Sequence, residues 1–452
     1  MKQMMELEVV NPHCAGIDIG SRSHFVAIGQ ELTDVKEFGV YADDLIEICN
    51  WLKENKITSV AMESTGAYWQ NLYVELSKCG FDIVLANGKF TKNAKGKKTD
   101  VKDSRWIQKL HALGLLTSSF LPDETTEQLR TYCRQRTNWL NMASEASSKM
   151  QKYLKLLNFR LDVVVKDICG LTGMAIIDDI CKGNLDPVKL AQHRHYNCRK
   201  SEEEIARALK GNNRKDYLFG LKQEYESYLF FQDKIKACDK QIDRFLKSQI
   251  NADPGKKKLK TSEKEHKKIN KNAPAIDLNQ MAFQYFGGVD LMTIEGVSHS
   301  TVLTIISEIG PDGFKKFPSA KHFTSWLRLA PNNKISGGKV LSHRIPKGSN
   351  RMKIALRQAA NAIGNLKDTQ LSDFFRRVAF RKGRQAAVSA TARKLAVIIW
   401  NMVVKQIPYL PEKEYLFLDQ KRKLKLIKRI SKQITKFDIK PEDVGLLQSP
   451  HF

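Results

Sequence analysis

The chain has 452 residues, with 75 Lys plus Arg against 49 Asp plus Glu (formal net charge +26) and 42% hydrophobic residues. At roughly 100–200 residues per domain this is a multidomain chain; the apolar share excludes wholesale disorder, and the charge would attract a polyanion, nucleic acid first among them, although a basic membrane-surface protein or a soluble basic enzyme has the same arithmetic. No apolar run approaches the roughly 18–20 residues of a bilayer span, and Met1 to Glu8 lacks the layout of a signal peptide, so neither a membrane protein nor a secreted one is expected.

In chain order, closely spaced apolar runs at 15–20, 24–29 and 35–40 predict an antiparallel meander. A helix is expected at 43–55, a strand at 57–63, a helix at 68–79 stopped by Gly80, a strand at 81–86, and a helix at 99–116 capped by Thr99. Thr125 and Gln128 fit a capping box, and apolar residues then recur every three or four positions to 157, interrupted by Arg136. That spacing predicts a long helix at 125–158, and a second at 221–246 could pair with it antiparallel, with 159–215 as the tip. Residues 251–275 hold eight Lys against three acids and almost nothing apolar, which reads as a flexible basic linker. Residues 281–404 are mostly helical by period; the aromatic and Met positions 374, 375, 380, 400 and 402 are expected in its core. A last basic helix, 421–436, would carry Leu424, Ile427, Ile430 and Ile434 on one face.

The eight cysteines include no CxxC, and the ten histidines no HExxH; reduced thiols are expected rather than a zinc ribbon or a disulfide framework. His193, His195 and Cys198 form only a sparse zinc-like pattern, read as a polar loop.

Four acids stand out. Asp18 interrupts an apolar strand, where a charge is costly unless compensated. Glu63 ends the strand Ser59-Val-Ala-Met-Glu63, and Asp100 and Asp103 share one face at a helix start. Carboxylates at strand ends and on a facing helix can converge on hard cations, and a pair of cations about 3.5–4 Å apart clamps the attacking and leaving oxygens of phosphoryl transfer. Read singly, Asp100 and Asp103 could equally complement the helix dipole, and Glu63 could be a solvated strand end. Their order after a three-strand meander matches an RNase H-like nuclease fold.

The motifs Gly16-Ile-Asp-Ile-Gly-Ser-Arg-Ser-His24, Met62-Glu-Ser-Thr-Gly-Ala-Tyr-Trp69 and Lys98-Thr-Asp-Val-Lys-Asp-Ser104 resemble the DEDD-type insertion-sequence transposases, the family that includes the pilin-gene invertase. The resemblance continues through Leu115 to Pro122, Asp167 to Gly173 and 291–404. It implies a RuvC-like domain in which Asp18, Glu63, Asp100 and Asp103 are catalytic and bind Mg²⁺.

Leu291 to Gly310 reads as a tight turn at Gly296 opening a helix, similar to a helix-hairpin-helix. Beyond it, Ser336-Gly-Gly-Lys339 alone reads more simply as a polar loop, but its glycines would let backbone approach a phosphate. Lys339, Arg344, Lys347 and Arg351 would bind nucleic acid through phosphate charge. The resemblance places a catalytic serine at Ser336. Arg328 departs from the family pattern, where Gly is expected before Leu-Ala-Pro.

The expected architecture is an α/β RuvC/RNase H-like domain (8–122), a long helical coiled-coil arm with a tip insertion (123–250), a basic linker (251–276), a mostly α C-terminal transposase domain with the serine (277–404) and a basic tail (405–452). The resemblance implies a bacterial, cytoplasmic DNA transposase or site-specific recombinase acting at the nucleoid. Its expected partners are donor and target DNA and an element-encoded guide (bridge) RNA, with a homodimer assembling to a tetramer and no membrane. The alternatives are a RuvC-like metal nuclease or invertase without RNA guidance, and a non-enzymatic nucleic-acid-binding protein.

Overall fold

The computed structural model describes residues 8–64, 66–91, 99–261, 271–348, 350–409 and 417–438. Lys98 of the third motif, Thr65 of the second, most of the second half of the basic linker and the end of the tail lie outside these residues. The chain divides into two units, Met1–Leu121 and Pro122–Phe452.

The first unit runs β1 (Cys14–Ile19), β2 (His24–Ala27), β3 (Val35–Phe38), α1 (Ala42–Glu54), β4 (Ser59–Glu63), α2 (Trp69–Lys78), β5 (Asp82–Ala86), α3 (Gly88–Thr91) and α4 (Asp100–Ala112). It is a mixed five-stranded sheet of order β3-β2-β1-β4-β5. The meander β1-β2-β3 is antiparallel as expected, and β4 and β5 are added parallel to β1. Side chains alternate across a strand, so Ala15, Ile17 and Ile19 of β1, with Val60 and Met62 of β4, form one face. That face is buried in one core with Ile48 and Leu52 of α1 and with Leu72 and Leu76 of α2. The opposite face, Cys14, Gly16 and Asp18 beside Ser59, Ala61 and Glu63, receives α4.

The second unit contains α5 (Glu124–Leu156), α6 (Leu161–Val164), α7 (Leu171–Cys181), α8 (Pro187–Ala191), α9 (Glu202–Ala208), α10 (Lys215–Asn251), α11 (Pro254–Lys258), α12 (Leu278–Tyr285), α13 (His299–Glu308), α14 (Gly310–Gly313), α15 (Ala320–Trp326), β6 (Lys334–Ser336), β7 (Lys339–Ser342), α16 (Arg351–Ile363), α17 (Gln370–Lys382), α18 (Arg384–Lys405) and α19 (Phe417–Phe437). The two long helices appear as expected, but the cap of α5 is Asp123 rather than Thr125: its carboxylate accepts from Thr126 N at 2.8 Å. α5 and α10 run antiparallel. Tyr132 meets Phe245, Arg136 bonds Asp239, Trp139 stacks on Phe231, and Lys149 pairs with Glu224. Helices α6–α9 close around Phe159, Ile176 and Leu221 at the far end of the pair.

The basic segment after α10 is tied down at both described ends. Gln280 Nε2 donates to Leu259 O (2.7 Å) and Gln284 Nε2 to Lys257 O (3.1 Å); after residue 270, Lys271 bonds Asp167 and Ala275 N donates to Asp239. Residues 262–270 lie outside the described ones. The last part of the 281–404 region, helical as expected, is two helices, because Gly383 adopts φ +79° between α17 and α18. Among the described residues α18 alone is long and apolar enough to cross a bilayer, with Arg393 and Lys394 interrupting its apolar run. Its Leu395, Ala396, Ile399 and Met402 are buried inside the bundle, as a core helix requires. Phe375, Trp400 and Met402 are core as expected, whereas Phe380 is 94% exposed on α17.

Candidate active-site residues

Asp18 and Glu63 reach the same edge of the sheet by register. β1 and β4 are parallel with Cys14 opposite Ser59 and Ile17 opposite Met62, so the next pair is Asp18 with Glu63, both on the α4 face. α4 runs antiparallel to the strands. Ser59 Oγ lies 2.7 Å from His111 Nε2, Cys14 Sγ faces Gln108 O, and Gly16 lies under Ser104 and Gln108. Gly16 has to be glycine, because a Cβ there would stand 2.6 Å from Ser104 O and run into the Gln108 backbone nitrogen. From Gly16 to Asp18 the strand advances about 6.6 Å, which is about four residues of helix. Four residues before Ser104 is Asp100, so the first turn of α4 lies level with the two strand acids. Thr99 caps that turn, accepting from Lys102 N at 3.4 Å. The register thus places the two strand acids and the first turn of α4 at one edge of one layer.

Within that edge the side chains have different settings. Asp18, Glu63 and Asp103 are half-buried and Asp100 is exposed. Thr91 Oγ1 donates to Glu63 Oε2 at 2.5 Å, and the other Glu63 oxygen sits where a side chain on Gly88 would be. α3 therefore orients Glu63, a contribution with no signal in the sequence motifs. Among the described residues no three His, Cys, Asp or Glu side chains gather closely enough to hold a metal ion. The donor set fits a hard divalent cation in kind, being all carboxylate oxygen at one edge. His111 is buried in this layer and His24 on the opposite, α1 face of the sheet, and burial holds both imidazoles below their ordinary pKa.

In the second unit, Ser336 ends β6 and pairs with Lys339 of β7. Between them Gly337 and Gly338 have φ +54° and +75°. Two consecutive left-handed residues make the tight hairpin turn that suits twisted strands, so the glycine pair is set by the turn itself. The stretch read as a loop is a two-stranded hairpin with Ser336 exposed at its tip. Among the described residues Ser336 Oγ has no hydrogen-bond partner; His343, just past the end of β7, instead lies 3.1 Å from Asn333 Oδ1. Ile335, Val340 and Leu341 are exposed along the hairpin, at 62%, 45% and 68%. Lys339, Arg344, Lys347 and Arg351 are all exposed, and Arg351 opens α16 behind the Asn350 cap.

Ahead of the hairpin, Gly296 (φ +71°) makes the tight turn expected before α13, and Ser298 caps that helix by accepting from Thr301 N at 3.3 Å. A side chain at Gly296 would strike Ile363 and Ala359 O of α16, so this glycine also sets a helix contact. Arg328 explains its own departure from the expected glycine. It adopts φ +53°, the left-handed conformation glycine tolerates, and its guanidinium donates to Lys347 O at 2.6 Å across Gly348. The sparse zinc pattern is a hydrogen-bonded loop: His193 Nε2 lies 3.0 Å from Asp179 Oδ2, and His195 N donates to Thr172 Oγ1.

Residues 15–159 match a family model for DEDD transposases of the IS110 type, described as a transposase, and residues 290–376 match the model described as the transposase IS116/IS110/IS902 family. The first span contains the four acids and the second contains Ser336. No curated protein matches the sequence.

Proposed function

Because the chain belongs to the IS110-type DEDD transposases and is a DNA transposase, we propose that it cuts and rejoins insertion-sequence DNA through a phosphoserine link at Ser336. The observation that carries this is the presentation of Ser336: an exposed hydroxyl at the tip of a glycine-turned hairpin, flanked by Lys339 and followed by Arg344, Lys347 and Arg351. In the step proposed, Ser336 Oγ gives up its proton and attacks phosphorus. The phosphodiester bond to one deoxyribose oxygen breaks, that oxygen leaves as a hydroxyl, and the serine retains the phosphoryl end. Rejoining is the reverse attack by another strand's hydroxyl. The cations neutralise phosphate charge. A serine hydroxyl is weak at its free pKa and needs an activating group.

The β3-β2-β1-β4-β5 order and the shared edge of Asp18, Glu63, Asp100 and Asp103 support an RNase H-like domain whose acids hold divalent cations, Mg²⁺ by donor type. Such ions, when bound, polarise a phosphoryl oxygen and lower the pKa of an attacking hydroxyl. We further propose donor and target DNA as substrates, selected by a structured element-encoded RNA, and a homodimer that assembles to a tetramer, because recombination holds several cut ends at once. The charge of +26 suits such a load of nucleic acid.

The test is recombination of a plasmid carrying element ends, with Ser336→Ala, Asp18→Asn and Lys339→Ala compared. Ser336→Ala and Asp18→Asn are expected to abolish recombination while retaining DNA binding, and Lys339→Ala to weaken binding. Recombination by Ser336→Ala would leave the acids as the whole active site and return the chain to the metal-nuclease reading.

A further inference from the structure

Beside the hairpin, the second unit has an open groove of about 740 Å³ between the 345–348 segment, α16 and α18. Its charged lining is all basic, Lys347, Lys353 and Arg357, with no acid. Ile345, Pro346, Ile354 and Val388 give it an apolar floor, and Gln358 and Asn361 place two amides along α16. Ile354 is 46% exposed in the middle of an otherwise polar helix face, Arg351, Gln358 and Asn361.

The rim of this groove is held from behind by two cations. Lys353 is 6% exposed, and its Nζ donates to Pro346 O at 3.3 Å. Arg328, in its left-handed conformation, donates to Lys347 O at 2.6 Å. Both carbonyls of the rim are thereby turned onto side chains. A trans peptide sets its N–H opposite its C=O, so the N–H groups of Lys347 and Gly348 point the other way. Neither donates to a protein group among the described residues. Successive unpaired N–H groups next to fixed cations make an anion-binding concavity.

We infer that this groove binds one nucleotide of an unpaired strand, its phosphate at the Lys347–Gly348 rim with Arg357 and its base against Ile354 and Val388, within reach of the Gln358 and Asn361 amides. The charge requires an anion; the apolar floor and amides require more than a phosphate. A duplex keeps its bases stacked inside and would offer only its backbone, whereas an unpaired base brings an apolar face and a hydrogen-bonding edge together. The volume falls within the ~300–1,000 Å³ range of small-ligand sites. Arg328 and Lys353 act as positioning residues. The inference rests on the nucleic-acid reading above and extends it from phosphate contacts to an unpaired base.

The experiment uses the full-length protein, a single-stranded oligothymidylate, its abasic counterpart, a duplex, and a 4-thiothymidine strand for photocrosslinking. Wild type is expected to prefer the oligothymidylate over the abasic strand by roughly tenfold, the size of burying about 55 Å² of apolar base surface on this floor. Ile354→Asp, at an exposed position, is expected to erase that preference and leave duplex affinity within about twofold. The crosslink should map to residues 345–361. Equal binding of the abasic strand by wild type, equal weakening of single strand and duplex by Ile354→Asp, or a crosslink elsewhere would each overturn the groove. The serine reading fails separately: wild-type protein that crosslinks at the groove yet forms no covalent DNA adduct would sink Ser336 and leave the groove standing.

Discussion

Gly16 sets how close α4 comes to the sheet, and with it where Asp100 and Asp103 stand. Gly16→Ala pushes a methyl into the α4 backbone; overpacking of this kind costs about 1–3 kcal/mol. The expected result in a denaturant titration is a lower midpoint, together with a larger fall in recombination than the stability loss explains, because the acids move. His111 gives the same layer a pH dependence. Its folded pKa lies below the ordinary 6.5, first by burial, so above about pH 6.5 the imidazole is neutral in both states and stability is full. As pH falls below that value the unfolded chain takes up the proton first and stability is lost. His24 adds in the same direction. Amide exchange in β1 and β4 should therefore accelerate on acidification beyond the intrinsic trend, and His111→Asn should flatten the response; an unchanged profile would contradict it. At this scale Ser336 was singled out by the family resemblance alone, whereas Asp18, inside an apolar strand, and Glu63, at the end of one, were legible as candidates. The support from Thr91 and Gly88 was not, because it depends on where β5 ends in space.

The pairing of α5 with α10 was legible from apolar spacing, and its one interruption was the informative residue. Arg136 is buried, donates to Asp239 Oδ1 at 2.5 Å and to Asn272 O at 3.2 Å, while Asp239 also accepts from Ala275 N. The ion pair thus joins both long helices to the segment that leads into α12. Asp239→Ala leaves a buried guanidinium unpaired and is expected to cost about 3–5 kcal/mol, read as a lower denaturation midpoint of the second unit; a loss under about 1 kcal/mol would show the pair to be solvated. Sequence spacing could not tell which neighbour each seam meets. Leu129 and Trp139 pack inside the chain: Leu129 is fully buried and Trp139 stacks on Phe231. Met142, Leu156, Phe219, Leu229 and Phe230 are the exposed large apolar positions of the pair. α13 is also fastened to α5, since Arg134 holds both Glu308 oxygens and Arg130 reaches Glu308 O. The basic segment read as a flexible separator therefore links two parts of a single unit. On α19, Ile427, Ile430 and Ile434 are exposed along one face, where the sequence spacing placed them.

For the whole molecule, the charge of +26 makes nucleic-acid affinity an electrostatic quantity. Neutralising about 6–10 phosphates is expected to lower affinity by roughly 10³–10⁵ between about 50 and 200 mM salt. Combined Lys339→Ala and Arg344→Ala should make that slope shallower, and a flat slope in wild type would remove the phosphate role. Fold class and chain order of the two halves were legible from strand and helix periods; the shape of the serine segment was not, because a three-residue strand carries too few positions to show a period of two. The central claim, that Ser336 attacks DNA, is tested most directly by trapping the reaction on suicide DNA substrates, digesting the protein and locating the nucleotide-modified peptide by mass spectrometry. A phosphodeoxynucleotide on Ser336, lost in Ser336→Ala with DNA binding retained, is the expected result; an adduct on another residue, or recombination without any adduct, would contradict it.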